Sequence, residues 1–169
     1  MSNDGRFLNL ESGKEKLDSA IETSSGATDG NKIAMTDSTG RFDASLLPVG
    51  IGADTLTIEA SENLSSGDFV NIFNDAGTAK VRKADATNSR DANGFVLAGV
   101  TAAADAEVYF EGTNTQLSGM TIGARQYLDT TGGITETPKT GSGELHQYLG
   151  KASSATEMNV ELDDCISIG

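Results

Sequence analysis

The stretch DFVNIFNDAGTAKVRKAD, residues 68–85, carries the clearest structural signal in the chain. Two strand-like runs, DFVNIF and TAKVRKAD, flank the turn sequence Asn74-Asp75-Ala76-Gly77. A sequence of the form Asn-Asp-x-Gly lets the backbone reverse its direction between two β-prone segments. The stretch therefore predicts an antiparallel β-hairpin.

Similar strand signals occur on both sides of this hairpin. In TLTIEA, Leu56 and Ile58 alternate with threonines, which is the period of a strand with one buried face. The runs NGFVLAGV and AEVYFEG form a second predicted strand pair, and Gly132-Gly133 predicts a hairpin within RQYLDTTGGITET. The remaining runs are HQYLGKAS and MNVELDDCISIG. About nine or ten short strands at intervals near ten residues predict an all-β fold, either a small β-barrel or a β-sandwich.

The first part of the chain has a different composition. The segment RFLNLESGKEKLDSAIE, residues 6–22, predicts at most one short amphipathic helix, in which Gly13 costs about 1 kcal/mol. Residues 22–40 are mostly Ser, Thr, Gly, Asp and Asn, which is typical of a loop or an extended linker. The sequence therefore predicts an N-terminal arm and linker, residues 1–50, followed by a β-rich domain, residues 51–169.

Apolar residues occur in three small clusters within and just after this polar arm. One cluster lies in residues 40–52, GRFDASLLPVGIG. The spacing of its apolar residues fits neither a helix nor a strand, so another surface is expected to cover them. That surface is either a partner or a neighbouring subunit, or the β-rich domain of the same chain. The candidate contact residues are Phe7, Leu8, Leu10, Ile33, Met35, Leu46, Leu47, Pro48, Val49 and Ile51.

The charge of the chain restricts its partners. Of 169 residues, 25 are acidic and 12 are basic, which gives a formal net charge of −13. Nucleic-acid binding and attraction to anionic membranes both require clustered Lys and Arg, so neither is expected. A strongly acidic surface fits pairing with a more basic protein surface. The N-terminal sequence MSNDGRFLNL lacks the features of a signal peptide, so we expect synthesis and use in a cytosol-like compartment.

The residues that usually carry catalysis are scarce. The chain has one histidine, His146, and one cysteine, Cys165, too few for a tetrahedral zinc site, and it contains no G-x-S-x-G sequence. Asp85 and Asp91 bracket a loop with calcium-like spacing, but the glycine required at its sharp turn is Arg90. His146 is expected on a strand surface or at an interface. The sequence therefore predicts no catalytic residue, no cofactor and no metal site, and a binding or structural protein rather than an enzyme.

The order of segments along the chain resembles a known group of proteins. The segments GRFDASLLPVGIG, IEASENLSSGDFVNIF, KVRKADAT, GFVLAGV, VYFEG, GARQYL and YLGKASSATEMNVEL follow one another from about Gly40 to the C-terminus. In this order and texture the chain resembles the capsid decoration (head-stabilising, cement) proteins of tailed bacteriophages, which are related to head-fibre proteins.

This resemblance implies a β-rich domain that binds the outer surface of the capsid and forms a homotrimer. The implied partners are the major capsid protein and further copies of the chain, and the implied location is the virion, after synthesis in the host cytoplasm. The N-terminal arm, including Phe7, Leu8 and Leu10, would reach neighbouring coat subunits. The residues from Leu46 to Ile51 would form the turn into the domain.

Two other classes of function remain open from the sequence. A tail-fibre or baseplate component belongs to the same broad structural class, although no repeat or receptor-binding tip is visible. A small carbohydrate-binding adhesion module is disfavoured because the sequence has nine aromatic residues in total and neither a basic nor an aromatic cluster. The location of the protein on head or tail, and its binding to glycans, would distinguish these classes.

Overall fold

A computed structural model describes residues 6–11, 13–47 and 54–169 of the chain. The fold is all-β, with two short 3₁₀ turns, and its larger part contains a closed β-barrel, as the sequence predicts. The chain divides into two compact units, Met1–Gly52 and Ala53–Gly169. The sequence-based boundary was placed at residues 50 and 51.

The N-terminal unit begins with a β-hairpin. Strand β1 spans Arg6–Glu11 and strand β2 spans Lys14–Ser19, and they pair antiparallel from Arg6 opposite Ser19 to Glu11 opposite Lys14. The helix predicted for this segment was therefore wrong. Gly13 has φ 76°, a left-handed conformation that glycine adopts without a steric penalty, so it reverses the chain where a helix would have continued.

Local hydrogen bonds organise the rest of this unit. The backbone N–H of Ile21 donates to Ile33 O at 2.9 Å, and the N–H of Met35 donates to Ile21 O at the same distance. The Asp37 carboxylate accepts hydrogen bonds from Thr39 and from the Arg41 backbone. Two 3₁₀ turns, Ala27–Asp29 and Ala44–Leu46, complete the unit. No side chain described in this unit is buried, so these residues share no apolar core.

The C-terminal unit begins with a five-stranded barrel. Its strands are β3 (Thr55–Ala60), β4 (Phe69–Asp75), β5 (Thr78–Lys83), β6 (Gly94–Phe95) and β7 (Asp105–Tyr109). They close in the order β3-β5-β4-β6-β7, and β3 pairs parallel with β5 and antiparallel with β7. The predicted hairpin is confirmed as β4–β5, because Asp75 pairs with Thr78 while Ala76 and Gly77 both adopt positive φ.

A second sheet follows the barrel in sequence. It contains β8 (Gly112–Asn114), β9 (Arg125–Leu128), β10 (Ile134–Thr135), β12 (Tyr148–Ala152) and β13 (Met158–Val160) in the order β10-β9-β12-β13-β8. The predicted hairpin around Gly132-Gly133 is confirmed as β9–β10. Strands β11 (Leu145–His146) and β14 (Ile166–Ser167) form a separate antiparallel pair.

Two apolar clusters stabilise this unit. One cluster is made mainly of barrel-strand residues, including Ile58, Val70, Val81 and Val108. The other joins residues of the barrel strands to residues of the second sheet, including Phe69, Phe95, Leu128, Leu149 and Met158. Because successive side chains of a strand point to opposite faces, adjacent Phe69 and Val70 enter different clusters. Both faces of β4 are therefore buried at this point.

A buried carboxylate connects the barrel to the second sheet. Asp85 accepts hydrogen bonds from the backbone and hydroxyl of Thr87, from the Asn88 side chain and, at 3.3 Å, from the backbone N–H of Thr131. Burial raises the pKa of Asp85, but the hydrogen bonds from Thr87, Asn88 and Thr131 outweigh it and hold this pKa below its ordinary value. The calcium-like spacing that begins at Asp85 is thus a structural turn. Within the described residues no group of acidic, His or Cys side chains is arranged to hold a metal ion.

Candidate functional site

The N-terminal unit exposes large apolar side chains. We call this set the N-terminal apolar residues: Leu8 (64% exposed), Leu17 (55%), Ile33 (50%), Phe42 (55%) and Leu47 (37%). Single exposed apolar residues are common on soluble proteins and need no explanation. Here five of them occur in one unit. None of the described side chains of that unit is buried, so no described apolar core is present for them to pack into.

The hairpin arranges two of these residues as a pair. Leu8 of β1 lies directly opposite Leu17 of β2, so both side chains project from the same face of the ribbon. A two-stranded hairpin without a packed face is marginally stable in water. Covering this leucine pair would therefore stabilise the hairpin.

The structure places the predicted contact residues unevenly. Leu8, Ile33 and Leu47 are exposed, as a docking surface requires, whereas Phe7, Met35 and Leu46 are half-buried. Leu10 lies in β1, and its side chain is outside the description. The remaining predicted residues, Pro48, Val49 and Ile51, lie outside the described part of the chain.

Sequence reasoning missed two members of the set, Leu17 and Phe42. Leu17 lies in the segment that was predicted to form a short amphipathic helix, and only the strand register shows that it pairs with Leu8. Phe42 lies within the segment GRFDASLLPVGIG and was not named as a contact residue, although it is among the most exposed apolar side chains of this unit.

The C-terminal unit contains an aromatic groove of about 380 Å³. Tyr127 of β9 packs edge-on against His146 of β11, with ring centroids 5.2 Å apart, and against Tyr148 of β12 at 6.0 Å. Tyr148 lies opposite Tyr127 in the β9–β12 pairing. His146 ends β11, Tyr148 begins β12, and the buried Gln147 lies between them, so both rings project from the side of the chain opposite to Gln147. The complete lining is Arg125, Tyr127, His146, Tyr148, Glu161, Asp163, Asp164 and Ile166.

Charged side chains surround these rings. The Arg125 guanidinium lies 5.8 Å from the centre of the Tyr148 ring, within the range of a cation–π contact. Burial raises the pKa of Tyr148, Glu161 and Asp163 raise it further, and Arg125 acts in the opposite direction. The carboxylates therefore lie close enough to the ring for their negative charge to oppose ionisation of the phenol.

The surroundings of His146 and Cys165 bear on whether these side chains are arranged for nucleophilic catalysis. His146 is half-buried at the edge of Tyr127, and the lining of its groove includes no serine, threonine or cysteine. Cys165 packs against the core of the C-terminal unit, and burial raises the pKa of its thiol, which disfavours the reactive thiolate. The arrangement thus provides aromatic and charged groups, and the described lining places no serine, threonine or cysteine beside His146.

Comparisons with known proteins give a limited result. Neither a protein-family model nor a curated protein sequence matches the chain. Among solved structures, the chain is similar to the crystal structure of the head fiber gp8.5 N base in bacteriophage phi29, with 10% identity and a TM-score of 0.44. That likeness covers 65% of this chain and 95% of the other. At this identity and TM-score the likeness does not decide the function. Within the described residues, no helix has the length and apolar character needed to cross a membrane.

Proposed function

We propose that this protein is a virion structural protein that binds the outer surface of a phage capsid and stabilises the head lattice as a decoration (cement) protein. The observation that carries the proposal is the contrast between a well-packed C-terminal unit and an N-terminal unit that exposes the N-terminal apolar residues. The order of sequence segments, which resembles that of decoration proteins, supplies the class of partner. Binding requires no catalytic group.

The energetics of such a role follow from burial of the exposed residues. Each leucine or isoleucine fully removed from water contributes about 1.5–3 kcal/mol. Part of this free energy offsets the entropy lost when the N-terminal unit becomes ordered against its partner. A homotrimer would present three copies of the same contacts, so weak individual contacts would add to firm attachment. The partners in this proposal are the major capsid protein and two further copies of the chain.

The proposal is tested by mixing the purified protein with phage heads assembled without it and sedimenting the heads. We expect the protein to sediment with the heads at a fixed ratio and to raise the temperature at which they disrupt. A protein that remains in the supernatant at saturating concentrations would refute the decoration role.

A paired substitution tests whether the N-terminal apolar residues carry the contact. We expect the double variant Leu8→Ser/Leu17→Ser to bind heads at least about tenfold more weakly, since each 1.4 kcal/mol of lost burial is a factor of ten in affinity. Leu56→Ser in β3 is the matched control, because Leu56 is also about half exposed but belongs to the C-terminal unit. If Leu56→Ser weakens head binding equally, the N-terminal apolar residues do not carry the contact.

Electron microscopy of particles carrying the labelled protein separates this function from its runner-up. We expect density on the head surface at positions related by local threefold symmetry. Density confined to the tail would instead assign the protein to a fibre or baseplate, and light scattering of the purified protein would test the trimer independently.

A further inference from the structure

Carboxylate side chains line one side of the aromatic groove in the C-terminal unit. The backbone N–H of Glu161 donates to Leu149 O at 2.9 Å, and the N–H of Asp163 donates to Tyr148 O at 3.2 Å. The buried Gln147 side chain donates to Asp163 O at 3.2 Å. The segment that carries the carboxylates is thus attached to β12 through the N–H of Asp163 and to Gln147, just before β12, through the carbonyl of Asp163. The backbone that carries Glu161 and Asp163 is therefore held beside β12, which keeps their side chains on the side of the groove next to the two tyrosines.

The charges of the groove are unequal. Glu161, Asp163 and Asp164 place three carboxylates along it, and Arg125 supplies the one guanidinium in its lining. Among the described residues, none of these four side chains takes part in an ion pair. The guanidinium lies instead near the Tyr148 ring. The groove therefore retains an excess of negative charge that a cationic ligand would compensate.

The aromatic rings favour the same kind of ligand. The faces of tyrosine rings attract cations, and Arg125 already shows that a guanidinium fits beside Tyr148 in this geometry. An arginine side chain also pairs with carboxylates through two parallel hydrogen bonds and stacks on aromatic rings. A volume of about 380 Å³ leaves space for such a side chain. An anionic ligand would be repelled by the three carboxylates, and a neutral sugar would leave their charge uncompensated.

We propose that the groove lined by Tyr127, His146, Tyr148 and the carboxylates of Glu161, Asp163 and Asp164 binds an arginine side chain presented by a basic segment of a partner protein. The groups involved all belong to the C-terminal unit. The site therefore does not depend on the N-terminal apolar residues or on the proposed attachment to a phage head.

The test uses the full-length protein, labelled with ¹⁵N, and the peptide N-acetyl-Gly-Arg-Gly-amide. The control peptide contains citrulline, which has the shape of arginine without its charge. We expect the arginine peptide to shift the amide resonances of Tyr127, Tyr148 and Asp163, with an affinity at least about tenfold that of the citrulline peptide. Raising the salt concentration should weaken the interaction, because its charged partners lie at the surface.

Matched variants assign the interaction to the groove. Asp163→Asn/Asp164→Asn should weaken binding about tenfold, whereas Asp105→Asn/Glu157→Gln removes the same charge from exposed positions elsewhere and should leave binding nearly unchanged. Tyr148→Phe keeps the ring and should retain binding. Tyr148→Ser should lose it, and thermal unfolding monitored by circular dichroism establishes that the variant is folded.

Three results would overturn the proposal. One is equal affinity for the arginine and citrulline peptides, and another is equal weakening by the two charge-removing double variants. The third is binding of maltotriose, in place of the arginine peptide, at the same resonances, which would assign the groove to a neutral saccharide. A wild-type protein that fails to sediment with heads would refute the proposed function without affecting the peptide titration, so the two failures are distinguishable.

Discussion

The two units of the chain achieve order by different means. In the C-terminal unit, Phe69, Phe95, Leu128, Leu149 and Met158 are almost completely removed from water, and a second cluster is made mainly of barrel-strand residues. In the N-terminal unit, backbone pairing and Asx-type hydrogen bonds are present, but no described side chain is buried. Hydrogen bonds that remain accessible to water add little net stability, whereas buried apolar area adds much. The C-terminal unit is therefore stabilised by its own core, whereas the described side chains of the N-terminal unit form no such core.

The largest expected effect comes from opening the core of the C-terminal unit. Phe95→Ala should lower the free energy of unfolding by about 3–5 kcal/mol, because Phe95 is fully buried between Phe69 and Tyr109. Denaturant titration of the full-length protein measures the change. Leu8→Ala serves as the comparison and should change the same value by less than about 0.5 kcal/mol. Similar losses from both substitutions would show that the two units share one cooperative core.

A somewhat smaller effect is expected where the barrel meets the second sheet. Asp85→Ala should cost about 1–3 kcal/mol, because it removes the buried carboxylate that accepts hydrogen bonds from Thr87, Asn88 and Thr131. Since the pKa of Asp85 is lowered on folding, its ionisation stabilises the fold above the ordinary carboxyl pKa of 3.8. That contribution is lost as the pH falls through the lower pKa of the folded state.

Unfolding measured as a function of pH tests this sign. As the pH falls below about 5, the free energy of unfolding of the wild-type protein should decrease more steeply than that of Asp85→Asn. The asparagine side chain has no proton to bind at this position. Parallel curves for the two proteins would show that Asp85 does not contribute to the acid transition.

A change of one methyl group tests how tightly the barrel is packed. Gly94 of β6 approaches β7 so closely that a Cβ would lie 2.6 Å from Tyr109 O and 2.7 Å from Val108 Cγ1. Gly94→Ala should therefore destabilise the C-terminal unit by about 1–3 kcal/mol, measured by thermal unfolding. Gly77→Ala is a contrasting variant, because nothing lies near its Cβ and only its φ of 96° opposes the change. A neutral Gly94→Ala would mean that β6 and β7 can separate without cost.

The smallest effect on stability is expected from deletion of residues 1–40. The C-terminal unit should keep its unfolding midpoint within error, because the described core residues all lie after residue 54. Binding to heads or trimer formation should nevertheless weaken, and sedimentation with heads and light scattering measure these two properties. Unfolding of the truncated protein would show that the arm belongs to the core of the domain.

An element could be predicted from the sequence where the residues that determine it are adjacent in the chain. The β4–β5 hairpin was predictable because its turn is decided by Ala76 and Gly77, which adjoin both strands. The helix predicted around Gly13 was wrong because the apolar spacing of residues 10–21 fits a helix, whereas the pairing of Leu8 with Leu17 becomes visible only in strand register. Local spacing could not distinguish the two arrangements.

The aromatic groove was missed for a related reason. Tyr127, His146 and Tyr148 belong to three strands, and two of these strands are joined by a register that no local pattern encodes. The alternation of His146 and Tyr148 around Gln147 was the available signal, since it places two rings on one face of a strand. The sequence could not show that Tyr127 would join them, so the aromatic residues appeared scattered.

The way the barrel closes has a consequence for folding during synthesis. Strand β3 pairs with β7 from Thr55 opposite Tyr109, and its other neighbour, β5, also comes later in the chain. The β4–β5 hairpin can form within microseconds once it is made, but β3 keeps an open edge until β7 has left the ribosome. An open strand edge is the feature through which nascent chains aggregate. The net charge of −13 repels neighbouring nascent chains during that interval.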